Sequence, residues 1–435
     1  MSQPSGLVRS LGITHATAMV VGTIIGSAIF VQPSEITRQM PSVTGILLVW
    51  LAAGVLTLCG ALALAELASA FPATGGIYVY LKEAYSPAAG FLWGWAMLWS
   101  IHSGVIAAIA MIFGRYAAWF VPMSAWGQKL VAVAVILVLT AVNYFGVRHG
   151  GLVQNVFTAA KLLAIAALVA AGLFFAGETP ASPAAGLGEV TGEGFILALA
   201  AGLFAFGGWH MVTYISGETK DAGKTIPRAL LFGTLTVTAC YAGLNFVYLR
   251  VLPLDAVRAS ERVAADAADV LLGGGGAALV AALVLVSTFG AVNGIILTGP
   301  RVYYSMAQDG LLFRWLGAVH PRFKTPHLAL LLQAGLASIL TLTGTYRALF
   351  IRVVYTEWIF FALLAFALLR LRRRPDYRPA WRIWGYPVVP LLFVASSAVI
   401  VAVQVQAEPL NSAVGLGLVL LGLPIYWLWT WWRAR

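Results

Sequence analysis

The sequence predicts an all-α polytopic membrane protein, and three observations support this fold class. Only 10% of the 435 residues are charged and 60% are hydrophobic, whereas about a quarter of the residues in a soluble domain are charged. The mean hydropathy is +0.88. The apolar stretches run continuously for about 20 residues, the length that crosses a bilayer as an α-helix. A soluble enzyme, a disordered chain and a barrel of short alternating strands are thereby excluded.

Twelve candidate transmembrane helices follow when the apolar runs are separated at their polar breaks. In chain order they cover residues 14–39, 43–70, 88–120, 128–146, 152–176, 193–216, 228–251, 276–306, 327–344, 347–370, 387–406 and 410–432. Residues 178–193 and 253–275, both rich in Gly and Ala, are predicted to be external loops. Neither is long enough for a separate domain, so residues 1–435 are expected to form a single transmembrane unit.

Basic residues determine the predicted orientation. The chain has 27 Lys and Arg residues and a formal net charge of +11. If the N-terminus is cytoplasmic, about eighteen basic residues lie on that side and about eight on the other, as the positive-inside rule requires. Both termini are therefore predicted to be cytoplasmic in a multi-pass protein of the inner membrane. The arginine cluster at 370–374 fits an anchor to lipid headgroups, so the bilayer and no nucleic acid is the expected partner.

Nothing in the sequence predicts catalysis, a cofactor or a metal site. Cys59 and Cys240 are the only cysteines, and both lie inside apolar runs, which indicates two free thiols. No His-Glu-x-x-His pair and no nucleophile elbow is present. The chain is therefore not expected to be an enzyme.

The first span carries residues that interrupt a helix at mid-membrane depth. Gly22, Gly26 and Ser27 stand in its centre and Pro33 follows. An unwound segment exposes N–H groups at the start of the second half-helix, where a carboxylate binds, and C=O groups at the end of the first half, which suit an ammonium. Such a site fits the backbone of an amino acid. The alternative at this point is that the small residues serve close helix packing.

The sixth span is interrupted in the same way. Gly202, Gly207 and Gly208 break it, and Phe204 and Trp209 supply aromatic rings that can close over a ligand. Non-helical backbone at this depth is tolerated only inside protein or beside a watery cavity, so two breaks predict a central cavity. Corresponding breaks five helices apart indicate an inverted-repeat transporter.

Motifs in a fixed order extend this pattern over nearly the whole chain. They occupy residues 26–30, 65–67, 71–78, 143–148, 157–161, 204–209, 224–228, 293–294, Arg301 and 320–326. Together they resemble the amino acid, polyamine and organocation transporter superfamily, and within it the L-amino acid transporter branch in its prokaryotic form. The resemblance implies a LeuT-type fold with discontinuous helices 1 and 6. Residues 14–176 and 193–370 would be the two inverted repeats, and residues 387–432 two peripheral helices.

The resemblance also implies a set of site residues. The substrate carboxylate would bind the amides of Gly26, Ser27 and Ala28, its ammonium would meet carbonyls near Ile24, Phe204 and Gly207, and Phe204 would be the lid. The predicted substrate-binding set is Ile24, Gly26, Ser27, Ala28, Phe204, Gly207, Trp209 and His210. Two positions depart from the family, since Ala28 replaces a glycine and His210 stands where the branch often has Asn.

Buried ionisable residues are functional candidates in a membrane protein. Lys161 lies in an apolar helix, where it must snorkel, pair or lose its proton; the resemblance implies that it replaces the sodium ion of relatives. Phe204, Lys161, Glu66 and Glu357 are the predicted gating or coupling residues. His102, Ser103 and Asn293 are candidates for the pocket that holds the substrate side chain.

The predicted function is sodium-independent transport of neutral L-amino acids by alternating access, as an exchanger or facilitator. Neutral substrates are favoured because residues 100–110 and 286–297 contain no acid. Alternatives are a proton-coupled symporter, a carrier of cationic amino acids or polyamines, and an amino acid sensor that does not transport. Animal relatives of this branch bind an accessory glycoprotein through a cysteine between helices 3 and 4. Residues 121–128 have no cysteine, so no covalent accessory subunit is expected.

Overall fold

The computed structural model describes residues 6–174, 191–345 and 352–433, and most of them are helical. In this part of the chain the β pairing is limited to one isolated bridge between Leu11 and Thr219. The predicted fold class, an all-α polytopic membrane protein, is confirmed.

Eight α-helices form the first part of the chain. They are α1 (Ile13–Ile24), α2 (Ala28–Gln39), α3 (Val43–Ala70), α4 (Ile77–Ala84), α5 (Pro87–Ala96), α6 (His102–Phe120), α7 (Ala125–Tyr144) and α8 (Val147–Phe174). One turn of π-helix, Met97–Ile101, joins α5 to α6. Because a π-turn adds one residue to the helix, it changes which side chains of α6 face each neighbour.

Eleven further α-helices follow. They are α9 (Gly192–Ala205), α10 (Ala222–Val251), α11 (Leu254–Ala259), α12 (Val263–Leu272), α13 (Gly276–Thr298), α14 (Pro300–Gln308), α15 (His327–Thr343), α16 (Thr356–Leu371), α17 (Val388–Ala407), α18 (Pro409–Leu420) and α19 (Gly422–Arg433). Two 3-10 helices, Trp209–Glu218 and Arg314–Gly317, complete the order.

Nine helices in the described ranges are long and apolar enough to cross a membrane. The bent pair of α1 and α2 forms a tenth candidate, with an angle of 46° at its break. The other two predicted spans correspond to α15 and α16, which have 17 and 16 residues. Residues 347–351 of the predicted tenth span lie outside the described residues.

One predicted loop is wrong in part. Residues 253–275 contain the short helices α11 and α12, which begin after Pro253 and end at Gly273 in a left-handed conformation (φ 73°). With 6 and 10 residues, these helices are too short to produce the signal of a membrane span. Most of the other predicted loop, residues 178–190, lies outside the described residues.

Small residues bring the helices around the first break into close contact. A Cβ atom at Gly22 would lie 1.9 Å from Gln154 Nε2 and 2.5 Å from Thr158 Oγ1, so only glycine lets α8 pack here. Gln154, Thr158 and Lys161 follow at helical spacing and therefore share the face of α8 that contacts α1. This packing places the lysine beside the end of α1.

Candidate functional site

The first break lies between α1 and α2. Helix α1 ends at Ile24, α2 begins at Ala28, and the N–H of Gly26 donates a hydrogen bond of 2.8 Å to the carbonyl of Ile24. The first N–H groups of a helix have no partner within it, and they carry the positive end of the helix dipole. The start of α2 is therefore a site for an anionic group in the middle of the protein.

Lys161 and Ser287 hold the carbonyl groups of this break. The fully buried Nζ of Lys161 donates to the carbonyls of Gly22 (3.1 Å), Ile25 (2.6 Å) and Ser287 (3.1 Å). The hydroxyl of Ser287 lies 3.0 Å from the carbonyls of both Ile25 and Gly26. Lys161 thus binds the end of α1 instead of reaching a membrane surface, as a cation near the negative end of a helix dipole does.

The second break lies between α9 and a 3-10 helix. Helix α9 ends at Ala205, and Trp209–Glu218 continues as the 3-10 helix. Gly208 has φ of +100°, a left-handed conformation that favours glycine. A Cβ atom at this position would lie 3.0 Å from the carbonyl oxygen of Thr23. Gly208 therefore allows both the turn and the close approach of the two breaks.

Two hydroxyl groups connect the breaks. Thr23 Oγ1 lies 3.1 Å from the carbonyl of Gly208. The hydroxyl of Tyr241, on α10, lies 3.1 Å from the carbonyls of both Ile24 and Ala205, and it donates its proton to one of them at a time. Sequence analysis did not identify Tyr241, because a tyrosine in an apolar helix carries no local signal of a partner 36 or 217 residues away.

A cavity of about 260 Å³ lies at the two breaks. Seven of the eight predicted substrate-binding residues line it, namely Ile24, Gly26, Ser27, Ala28, Phe204, Gly207 and Trp209. Residues of α6, α13 and α16 complete the wall, and Glu357 of α16 is among them. Phe204 is 40% exposed, so its ring is available to a bound molecule.

The eighth predicted residue and the predicted side-chain pocket lie behind this wall. His210 is fully buried, beside the ring of Trp209. His102 Nδ1 lies 3.0 Å from the Tyr303 hydroxyl, and Ser103 donates to the carbonyl of Leu98. Asn293 accepts a hydrogen bond from Asn143 and lies in a network with the side chain of Gln154 and the carbonyl of Gly150. His102, Ser103 and Asn293, predicted for the side-chain pocket, are not among the described residues that line this cavity, and their polar atoms bond to other groups of the protein.

Glu66 lies at the end of α3, on the membrane side where α1 begins, which we call the N-terminal side. Its carboxylate accepts two hydrogen bonds from Arg372 (2.8 and 2.5 Å) and one from the N–H of Ile383 (2.8 Å). The hydrogen bond to Glu66 raises the pKa of Arg372 above its ordinary value. Glu66 therefore holds the segment after α16 against the end of α3.

A second buried ion pair lies on the N-terminal side of the protein. Arg301 Nε lies 2.7 Å from Glu218 Oε2 and its Nη2 lies 3.0 Å from Oε1, and both side chains are fully buried. Because the Ser10 N–H donates to the carbonyl of Glu218, this pair also lies beside the chain start. Nothing in the local sequence predicted the pairing, since the two residues are 83 positions apart.

The described residues contain no group of three or more His, Cys, Asp or Glu side chains that could hold a metal ion. Cys59 and Cys240 are free thiols. The chemistry of the cavity therefore comes from helix ends, backbone carbonyls and the side chains of its wall.

Comparison with known proteins decides the family. A model of the amino acid permease family matches residues 11–428. The chain belongs to this family. It is 33% identical to the serine/threonine exchanger SteT of Bacillus subtilis over 433 residues, which are 98% of each chain. This permease is also similar to the large neutral amino acids transporter small subunit 2 of Mus musculus (33% identity over 99% of this chain and 82% of the relative) and to the human Asc-type amino acid transporter 1 (32%, 100% and 84%).

Proposed function

We propose that this permease exchanges neutral L-amino acids across the membrane by alternating access. One observation carries the proposal: the start of α2 and the end of α9 line the same cavity. The N–H groups at the start of α2 suit the substrate carboxylate, and the carbonyl groups at the end of α9 suit its ammonium. The names of the relatives, a serine/threonine exchanger and a large neutral amino acids transporter subunit, support exchange and neutral substrates.

In the proposed complex the substrate carboxylate binds the amides of Gly26, Ser27 and Ala28. Its ammonium meets the carbonyl groups near Ile24, Phe204 and Gly207, where α1 and α9 end. The carbonyl of Phe204, near the end of α9, accepts the N–H of Gly207 at 3.1 Å. The Phe204 ring, which lines the cavity, closes over the bound substrate.

Sodium independence is part of the proposal. The Lys161 ammonium binds carbonyl oxygens from α1 and α13, which are the kind of oxygen ligands that a cation takes. A fixed positive charge at this point replaces a bound metal ion and keeps the end of α1 against α8. Exchange then needs no coupling ion, because one amino acid leaves as another enters.

The membrane arrangement is proposed as well. Both termini lie in the cytoplasm, on the basis of the distribution of Lys and Arg, and the chain spans the inner membrane as two inverted repeats, 14–176 and 193–370, with 387–432 peripheral. The absence of a cysteine from residues 121–128 supports function without a covalent accessory subunit. A pulldown that recovers an obligatory second subunit would refute this point.

Uptake into liposomes tests the proposed function. Purified protein is reconstituted at symmetric pH, and labelled neutral and cationic amino acids are supplied to vesicles that are empty or preloaded with unlabelled amino acid. The proposal expects saturable, sodium-independent uptake of neutral amino acids only into preloaded vesicles. Equal uptake into empty vesicles would exclude obligatory exchange, and uptake of cationic amino acids alone would exclude the neutral substrate class.

A further inference from the structure

Glu357 is the one acidic or basic side chain among the described residues that line the cavity. It lies in the first turn of α16, with 12% of its side chain exposed. The carboxylate therefore places a strong hydrogen-bond acceptor in a wall that is otherwise made of backbone, aliphatic and aromatic groups. The two segments on which the neutral-substrate prediction depended did not include this helix.

His210 lies directly behind Glu357. Its Nε2 atom is 3.5 Å from Glu357 Oε1, and the imidazole is fully buried. Four aromatic rings surround it, namely those of Trp93, Trp209, Tyr214 and Phe361. Within the described part of the protein neither ring nitrogen has a hydrogen-bond partner. A buried polar group without a partner destabilises the protein, so the imidazole of His210 has hydrogen-bonding capacity that the described residues do not use.

The hydrogen-bonding capacity of Glu357 restricts what it recognises. Its Oε1 atom lies 3.5 Å from His210 Nε2, and a carboxylate has about four lone-pair sites, so it can accept a hydrogen bond from a bound molecule. A hydroxyl group on the substrate side chain is a donor of this kind.

We propose that Glu357 contacts the side chain of the substrate and selects neutral amino acids whose side chain donates a hydrogen bond. His210 is the positioning residue that holds the carboxylate. The inference rests on the proposed function: if the two breaks hold the carboxylate and the ammonium, the side chain is the remaining polar part of an amino acid that reaches α16. Substrates of this class are hydroxyl amino acids.

Pairs of amino acids with nearly the same shape test whether Glu357 contacts the substrate side chain, a contact that we call the side-chain subsite. Exchange of threonine is compared with exchange of valine, and serine with alanine, because each pair differs chiefly in one hydroxyl group. For the wild-type protein we expect a KM for threonine about tenfold or more below that for valine, the value of one hydrogen bond to a charged group. Glu357→Leu should bring the ratio of the two KM values close to one. Glu357→Gln, which retains a carbonyl acceptor, should leave an intermediate ratio.

The control is Glu261→Gln, an isosteric neutralisation of an exposed acid, and it should leave the wild-type ratio unchanged. Thermal stabilisation of the purified protein by threonine or valine provides a second readout that needs no transport. A Glu357→Leu protein that keeps the wild-type preference for threonine would overturn the proposal, as would a wild-type protein that prefers valine or a cationic amino acid. If vesicles exchange nothing but threonine still stabilises the wild-type protein selectively, and not Glu357→Leu, the subsite stands and the exchange function fails.

Discussion

The two helix breaks that line the cavity differ in what holds their backbone. At the first break, side chains from two distant helices bind the exposed carbonyls: Lys161 of α8 and Ser287 of α13. At the second break, the backbone keeps its shape through the left-handed conformation of Gly208 and through ring contacts of Phe206 with Trp50 and Tyr241. The first break depends mainly on hydrogen bonds from distant helices, whereas the second has hydrogen bonds from Thr23 and Tyr241 and depends in addition on glycine and on packing.

This difference determines how each break responds to substitution. Removing Lys161 at the first break removes three buried hydrogen bonds at once, each worth about 1 kcal/mol or more. Adding a side chain at the second break introduces strain at one residue. Substitutions at the first break should therefore have larger effects than substitutions at the second.

Lys161→Ala should have the largest effect. The substitution removes three hydrogen bonds from the carbonyl groups of Gly22, Ile25 and Ser287, at a cost of about 3 kcal/mol or more. We expect exchange to fall by about a hundredfold while the protein still inserts, measured as flux per reconstituted protein. The control is Lys129→Ala, which removes a lysine bound to the carbonyl of Leu342 away from both breaks. Normal flux and normal pH dependence in Lys161→Ala would contradict its role.

Gly208→Ala should have the next largest effect. Its φ of +100° and the 3.0 Å approach of a Cβ atom to Thr23 impose strain of about 1–2 kcal/mol on any other residue. We expect about a tenfold loss of exchange and a lower melting temperature. Gly274→Ala is the matched control, because a Cβ atom there meets nothing within 4 Å. Equal behaviour of the two variants would show that the second break does not depend on the conformation of Gly208.

Tyr241→Phe should have a smaller effect. It removes the hydroxyl that lies between Ile24 and Ala205 while the ring packing remains. The loss of one such hydrogen bond is worth about 1 kcal/mol, so we expect a several-fold weaker KM. Tyr248→Phe is the control on the same helix, since the hydroxyl of Tyr248 has no hydrogen-bond partner in the described part of the chain. A KM that changes equally in both variants would show that the Tyr241 hydroxyl does not connect the two breaks functionally.

The sequence predicted the breaks but not what surrounds them. Gly26 with Ser27, and Gly207 with Gly208, lie in the two breaks as the sequence predicted. Gly22 and Gly202, which were also predicted to interrupt the spans, lie inside α1 and α9. Tyr241 and Ser287 were missed because their partners lie on distant helices. His102 and Ser103 were predicted for the pocket and lie just after the π-turn Met97–Ile101, which changes the phase of the helix and which no sequence period shows.

Buried charges show the same limit. The burial cost of Lys161 predicted that it has an internal role, because an ammonium in an apolar helix needs partners. The partners of Glu66 and Glu218 lie 306 and 83 positions away, so only the folded chain reveals those pairs. Glu357 was predicted to be a gating or coupling residue, and the structure places it near His210 and in the wall of the cavity.

Equilibrium binding to Ser27→Trp tests the central claim most directly, because Ser27 lines the cavity at the start of α2. The ligand is the labelled neutral amino acid that the wild-type protein exchanges fastest, and Gly192→Trp, at a site where a Cβ atom meets nothing within 4 Å, is the control. We predict that Ser27→Trp keeps its melting temperature and loses binding, while Gly192→Trp binds as the wild-type protein does. Unchanged affinity in Ser27→Trp would contradict the assignment of this cavity as the substrate site.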